Sequence, residues 1–225
     1  MSLESRRGTQ LHDPGAELLD RVGGIWAAYG RMILGGVVVV AAVAAGVILF
    51  QRGQENTRAL AAQRLAEATV FFWQGDYARS LDLSRQVIDQ YGSTPAGRDA
   101  HRLVGDNAFW TGDYKTAIEE YRAYLNGAPD GILADAARRS LAYALETDGQ
   151  YVEAATTYRS LVGKFDRETD GEMLLAAGRS HIAAGSMAEA QQDLERLSDQ
   201  FGDTGSARRG RELLAEIELG LATPR

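Results

Sequence analysis

The apolar positions of this chain fall into two regimes. From Met32 to Phe50 the sequence reads MILGGVVVVAAVAAGVILF, which is 19 residues without a charge. As a helix rising about 1.5 Å per residue it is about 28 Å long, close to the thickness of a hydrocarbon core. Eleven of these residues are Val, Ile, Leu or Phe, supplying about −3 to −7 kcal/mol of insertion free energy. The run therefore predicts a transmembrane helix over 32–50. Ala42-Val43-Ala44 has the form of a signal-peptide cleavage site, but the apolar run continues past it to Phe50 and the preceding 31 residues carry no net positive charge. An uncleaved anchor is the expectation. Ahead of it, Leu18, Leu19, Val22, Ile25, Trp26 and Tyr29 share one helical face. Asp13-Pro14 suits a helix start, and residues 14–31 read as an interfacial amphipathic helix.

Beyond residue 51 the pattern becomes periodic. Phe72-Trp73-Gln74-Gly75-Asp76-Tyr77 returns as Phe109-Trp110-Thr111-Gly112-Asp113-Tyr114, with weaker copies at Gly149-Gln150-Tyr151 and Gly185-Ser186-Met187; the glycines are 37, 37 and 36 residues apart. After each glycine the apolar residues recur at offsets 0, 3, 4, 7, 10, 11 and 14, one stripe of a helix. A stripe of that kind is buried only when neighbouring hairpins stack. The punctuation predicts helices at about 57–74 with 77–91, 96–111 with 114–126, 132–148 with 151–165, and 170–184 with 187–201. A last helix at about 204–219 would cap the stack, with Leu213, Leu214 and Ile217 inward and Arg208, Arg209, Arg211, Glu212 and Glu216 in water. No strand pattern occurs. The expected fold is all-α: one transmembrane helix, then a solenoid of about four helical hairpins plus a C-terminal capping helix. The corresponding division is 1–31 N-terminal tail, 32–50 anchor and 51–225 repeat domain.

The second unit resembles a tetratricopeptide repeat along nearly its whole length. Gly105 matches the small residue of the first helix, Gly112-Asp113-Tyr114 the turn, Ala117 and Tyr121 the second helix, and Pro129 the closing proline. The match is partial elsewhere: Ala142, Gly149, Tyr151, Ala154 and Tyr158 in the third unit, Gly178, Gly185 and Ala190 in the fourth. Arg64, His101, Arg138 and Leu174 stand where the family carries an early Trp, and the period of 36–37 residues exceeds the usual 34. The whole layout is similar to that of YfgM-type bacterial envelope proteins, which place the solenoid in the periplasm and accompany the Sec translocon and periplasmic chaperones. Gln90-Tyr91-Gly92-Ser93-Thr94-Pro95-Ala96 also resembles the repeat junctions of Tol-Pal-associated and outer-membrane-assembly proteins.

Composition narrows the function. Residues 1–31 hold four Arg and four acidic residues, so the net charge of −7 falls on residues 32–225. An acidic soluble part is a poor match for phosphate backbones, which argues against nucleic acid. No Cys is present, which excludes disulfides, thiolate metal sites and cysteine nucleophiles. His12, His101 and His181 never pair at helical metal-ligand spacing, and His181 falls on a packed face. Gly178-Arg179-Ser180-His181-Ile182 lacks the second glycine of a nucleophile elbow. Glu119-Glu120 and Asp166 with Glu168 read as solvated helix face and turn. The reading is a protein without enzymatic activity, cofactor, metal or small-molecule substrate. Its expected partners are other proteins, subunits of a large membrane complex, and the lipid bilayer through residues 32–50.

The resemblance implies that the first helices line a concave protein-binding groove. Its positions fall here on Thr69, Phe72 and Trp73; on Arg102, Asp106, Phe109 and Trp110; on Arg139, Tyr143 and Glu146; and on Arg179 and Ile182. Aromatics and Arg most often dominate binding energy, but a Phe-Trp pair before a tight turn serves equally to pack between helices. Arg21 and Arg31 before the anchor nearly balance Arg52, Arg58 and Arg64 after it. Orientation, with a cytoplasmic N-terminus and a periplasmic C-terminal domain at the bacterial inner membrane, therefore rests on the YfgM-type resemblance. The expected role is a tethered interaction module, accessory or scaffold to a translocon or chaperone assembly. The alternatives are a structural accessory subunit of a respiratory, photosynthetic or secretion complex and a Tol-Pal-like envelope coordinator.

Overall fold

A computed structural model describes residues 14–127 and 130–224, the side chains of 14–25 and 33 excepted. His12, Asp13, Pro129 and the inner face of the proposed interfacial helix (Leu18, Leu19, Val22 and Ile25) lie outside what is described. The described residues are all-helical: α1 (Pro14–Trp73), α2 (Tyr77–Tyr91), α3 (Pro95–Trp110), α4 (Tyr114–Gly127), α5 (Ile132–Thr147), α6 (Tyr151–Ser160), α7 (Arg167–Ala183), α8 (Met187–Phe201) and α9 (Gly205–Glu218). By internal packing the chain divides into Met1–Glu55 and Asn56–Arg225.

In the first unit, α1 carries the apolar run. Val37, Val40, Val43, Leu49 and Phe50 are all exposed. By length and composition this is the one described helix apolar enough to cross a membrane, and none of its most apolar stretch is covered by protein. The sequence reading separated this run from a later helix beginning near 57. The structure keeps Gln51 to Asn56 helical. The segment contains no proline, and its one glycine, Gly53, weakens a helix by only about 1 kcal/mol.

In the second unit the helices pair as expected around the repeated glycines. Gly75, Gly112, Gly149 and Gly185 have φ of +80°, +83°, +83° and +76°, a region that side chains disfavour. Each turn feeds a new helix, and the caps are local. Asp76 accepts from Arg79 N at 3.2 Å, Asp113 from Thr116 N at 3.2 Å and Thr94 from Gly97 N at 3.0 Å. Asp166, read from sequence as part of a solvated turn, is the N-cap of α7 and accepts from Glu168 N and Thr169 N at 3.1 Å each. Capping of this kind stabilises a helix by about 1 kcal/mol.

The hairpins stack: α3 packs on α2 and α4, α5 on α4 and α6, α7 on α6 and α8, and α9 on α7 and α8. Tyr121, Leu145, Tyr158, Leu161 and Met173 are buried in one core cluster, and Leu174, Leu194, Leu197 and Phe201 in a second beneath α9. Close approach within a hairpin needs a small residue. A Cβ on Gly105 would lie 2.8 Å from the Tyr121 ring, and one on Gly178 would lie 2.7 Å from Leu194.

The end of the third hairpin differs from the sequence reading. The second helix of the third hairpin was expected to reach 165 but ends at Ser160. Leu161, Val162 and Phe165 keep the apolar spacing, yet Gly163 turns the chain with φ +89°. α9 occupies the expected capping position, with Leu213, Leu214 and Ile217 packed partly buried on the second cluster and Arg208, Arg209, Arg211, Glu212 and Glu216 exposed.

Candidate protein-binding groove

The first helices of the hairpins, α3, α5 and α7, together with α9, line a row of depressions. The first, of about 200 Å³, is bounded by Asp106, Phe109 and Trp110 of α3, Tyr121 of α4, and Ser140 and Tyr143 of α5. The second, of about 750 Å³, is bounded by Tyr143, Glu146, Thr147, Tyr151, Arg179, Ile182, Leu213, Glu216 and the segment 221–223. The third, of about 380 Å³, runs from Tyr143 and Arg179 to the start of α9, where Ser206, Arg208 and Arg209 close it. Tyr143 borders all three and Arg179 two.

Seven of the twelve sequence-derived groove residues border these depressions: Asp106, Phe109, Trp110, Tyr143, Glu146, Arg179 and Ile182. Arg102 and Arg139 stand beside them. Arg102 Nη1 donates to Asp106 Oδ2 at 2.9 Å. The Arg139 guanidinium lies 5.6 Å from the Tyr143 ring centroid and donates to its hydroxyl at 3.3 Å. Thr69, Phe72 and Trp73, at the end of α1, border none of the three. The Thr69 hydroxyl is turned back to Leu65 O at 2.8 Å. Phe72 packs on Trp73 and on the turn residue Tyr77, with centroids 5.3 and 5.6 Å apart. Of these residues Phe72 reaches toward the groove through Tyr77, whose ring is parallel to Trp110 at 6.4 Å.

The repeated Phe-Trp pair thus splits in placement. Phe72 and Phe109 are half-buried, each against the Tyr of its own turn. Trp73 and Trp110 are 79% and 63% exposed.

The acids of the groove are held from below by tyrosines of the second helices. Tyr121 donates to Asp106 Oδ1 at 2.8 Å, and Tyr158 to Glu146 Oε2 at 2.8 Å. Arg179 Nη2 donates to the other Glu146 oxygen at 3.0 Å. Burial, and then the neighbouring carboxylate, push both phenols well above their ordinary range. Burial also raises the Asp106 carboxyl, outweighing the opposing effects of Arg102 and Tyr121.

In the fourth hairpin His181 fills a core position, as the sequence suggested, but with an unforeseen partner. Its Nδ1 lies 2.9 Å from Asp193 Oδ2, and Arg159 Nε donates to the other oxygen. The side chains of His181 and Asp193 are 5% and 3% exposed. An imidazole–carboxylate pair sealed in this way has no route to a substrate, and its role is in packing. Among the described residues no cluster of His, Asp or Glu is arranged to hold a metal.

Sequence reasoning missed the contribution of α9. Arg209, Leu213 and Glu216 extend the groove by one helix. The available signal was Gly220, which lies 35 residues after Gly185 and turns with φ +69°. The α9 N-cap also repeats that of α3: Thr204 accepts from Ala207 N at 3.2 Å and donates to Phe201 O at 2.7 Å, as Thr94 does toward Gly97 and Tyr91.

Stacked helical hairpins with a continuous line of depressions along their first helices define a helical-repeat protein-interaction module. The chain belongs to the tetratricopeptide repeat-like domain family, whose model matches residues 24–202. Solved structures agree on the fold. A tetratricopeptide repeat protein from Parabacteroides merdae superposes with a TM-score of 0.59 at 17% identity over 71% of this chain, and this chain spans 60% of that protein's length. A Podosopora anserina putative kinesin light chain with nearly identical TPR-like repeats gives 0.55 at 17% identity, covering 70% of this chain and 85% of that one. No curated protein matches the chain.

Proposed function

We propose that this protein is a membrane-tethered docking module of the YfgM type, in which residues 32–50 anchor the chain and the groove along α3, α5, α7 and α9 holds a partner. The observation that carries the reading is the row of depressions meeting at Tyr143, bordered by exposed aromatic and Arg side chains of the types that supply binding energy. Anchoring is supported by the uncovered apolar stretch of α1 and by a family match that begins at residue 24, ahead of that stretch. Residues 14–31 then lie at the membrane interface, with Trp26 and Tyr29 at headgroup level. On this reading the N-terminus is cytoplasmic, the repeat domain is periplasmic at a bacterial inner membrane, and the protein serves as an accessory or scaffold subunit of a larger membrane complex.

Native co-purification in mild detergent followed by mass spectrometry tests the role. Translocon or periplasmic chaperone subunits are expected, and recovery of the chain alone would overturn it. A bioenergetic complex or cell-wall proteins would move the module to another assembly. Protease added to spheroplasts should digest the repeat domain; protection until lysis would refute the orientation.

A further inference from the structure

We propose that the depression between α3, α4 and α5 is a cation subsite that receives a lysine or arginine side chain of the docked partner. The inference rests on the groove reading and adds the chemistry of the group recognised.

Four aromatic residues, Phe109, Trp110, Tyr121 and Tyr143, border this pocket with Ser140 and Asp106, and Asp106 is the one charged residue among them. Aromatic rings attract cations through their quadrupoles, more strongly where water is partly excluded. A carboxylate beside the rings adds direct charge complementarity. A volume of about 200 Å³ admits an ammonium or guanidinium head and the end of its aliphatic stem, but not a folded element.

The carboxylate is only partly compensated by its own protein. Each Asp106 oxygen accepts one hydrogen bond, Oδ1 from Tyr121 and Oδ2 from Arg102, which leaves further acceptor capacity on both. Burial still disfavours the ionised form more than these partners favour it. A second cation entering the pocket would offset that cost, so cationic groups gain over neutral ones of the same size. Arg102 and Arg139 flank the pocket without bordering it. Arg139 already rests against Tyr143, 5.6 Å from its ring centroid, an internal example of the same ring accepting a guanidinium. The acidic balance of residues 32–225 favours the approach of a cationic segment as well.

The test uses the full chain in detergent and three synthetic peptides, acetyl-Gly-Gly-X-Gly-Gly-amide with X as Arg, Lys or Gln. Titration calorimetry gives affinity, and the Trp110 indole N–H resonance reports the site. The Arg and Lys peptides should bind about tenfold more tightly than the Gln peptide and shift the Trp110 resonance. Asp106→Asn, which keeps an oxygen for Tyr121, should abolish that preference. Trp110→Leu should weaken both cationic peptides. Asp82→Asn, at an exposed carboxylate hydrogen-bonded to Gln86, should change nothing. Equal affinity for the Gln peptide, a preference that survives Asp106→Asn, or no binding by either cationic peptide would overturn the subsite. The groove reading fails separately: partner capture lost in Tyr143→Ala but retained in Asp106→Asn removes the cation subsite alone, and capture retained in both removes the groove.

Discussion

Replacing Trp73 by Ala separates an exposed ring from one packed in the core. The Trp73 side chain is 79% exposed, so about a fifth of its area is covered. An aromatic side chain buries about 200 Å² when fully enclosed. The covered part is therefore about 40 Å², worth about 1 kcal/mol at ~25 cal/mol/Å². Trp110, 63% exposed, loses about 75 Å², or about 2 kcal/mol, a sum that includes its contact with Tyr77. Tyr158 is the internal contrast. It is 0% exposed, and its truncation leaves a cavity and removes a hydrogen bond to Glu146, for about 3–5 kcal/mol or more. For a domain of this size, 1 kcal/mol lowers Tm by about 2–4 °C. Thermal and urea unfolding of residues 54–225, which should fold as an autonomous helical monomer, measure these differences by circular dichroism. Trp73→Ala should melt within about 4 °C of the parent, and Tyr158→Ala should fall well below it. A Trp73→Ala loss as large as that of Tyr158→Ala would refute the assignment of the ring to the surface.

Three further outcomes follow from the packing. Asp193→Ala leaves His181 and Arg159 without their shared carboxylate and should cost about 3–5 kcal/mol in urea unfolding; a loss under about 1 kcal/mol would show that the buried pair is incidental. Asp106 has a folded carboxyl pKa raised above its unfolded value, so its ionised form lowers stability at neutral pH and that deficit disappears as pH falls through the folded pKa. Asp106→Asn should thus melt at or above the parent at pH 7, with the gap closing on acidification, and a gap that widens would contradict the sign. Deleting 204–225 uncovers Leu175, Leu194, Leu197 and Phe201 and should cause aggregation in size-exclusion chromatography, whereas an equally soluble and stable product would show that α9 does not cap the stack.

The hairpins were legible because their signals are local. A glycine forced to positive φ, a capping Asp or Thr and a helical apolar stripe lie within about 15 residues of one another. The continuity of α1 was not legible, because the change from an all-apolar run to an amphipathic stripe looks like a boundary although no residue between them breaks a helix. The early end of α6 was missed for the opposite reason: Leu161, Val162 and Phe165 hold the helical spacing while Gly163 turns the backbone. The groove was partly legible through the repeat register, which brought Asp106, Trp110, Tyr143, Glu146 and Arg179 onto one side. Its acids' tyrosine partners, the Arg159–Asp193–His181 cluster and the share of α9 depend on side chains 12 to 34 residues apart. No periodicity marks such pairs. The Phe-Trp motif shows the same limit, since adjacent residues on a helix face different surroundings and only the fold assigns one to each.

Site-specific photo-crosslinking in native membranes tests the central claim most directly. A photoreactive residue placed at Trp110 or Tyr143 samples the first-helix face. One placed at Gln191 or Glu195, exposed and hydrogen-bonded to each other on α8, samples the second-helix face. Discrete partner adducts are expected from Trp110 and Tyr143 and none from Gln191 or Glu195. Adducts confined to the α8 positions would contradict it and place the working surface on the other side of the solenoid.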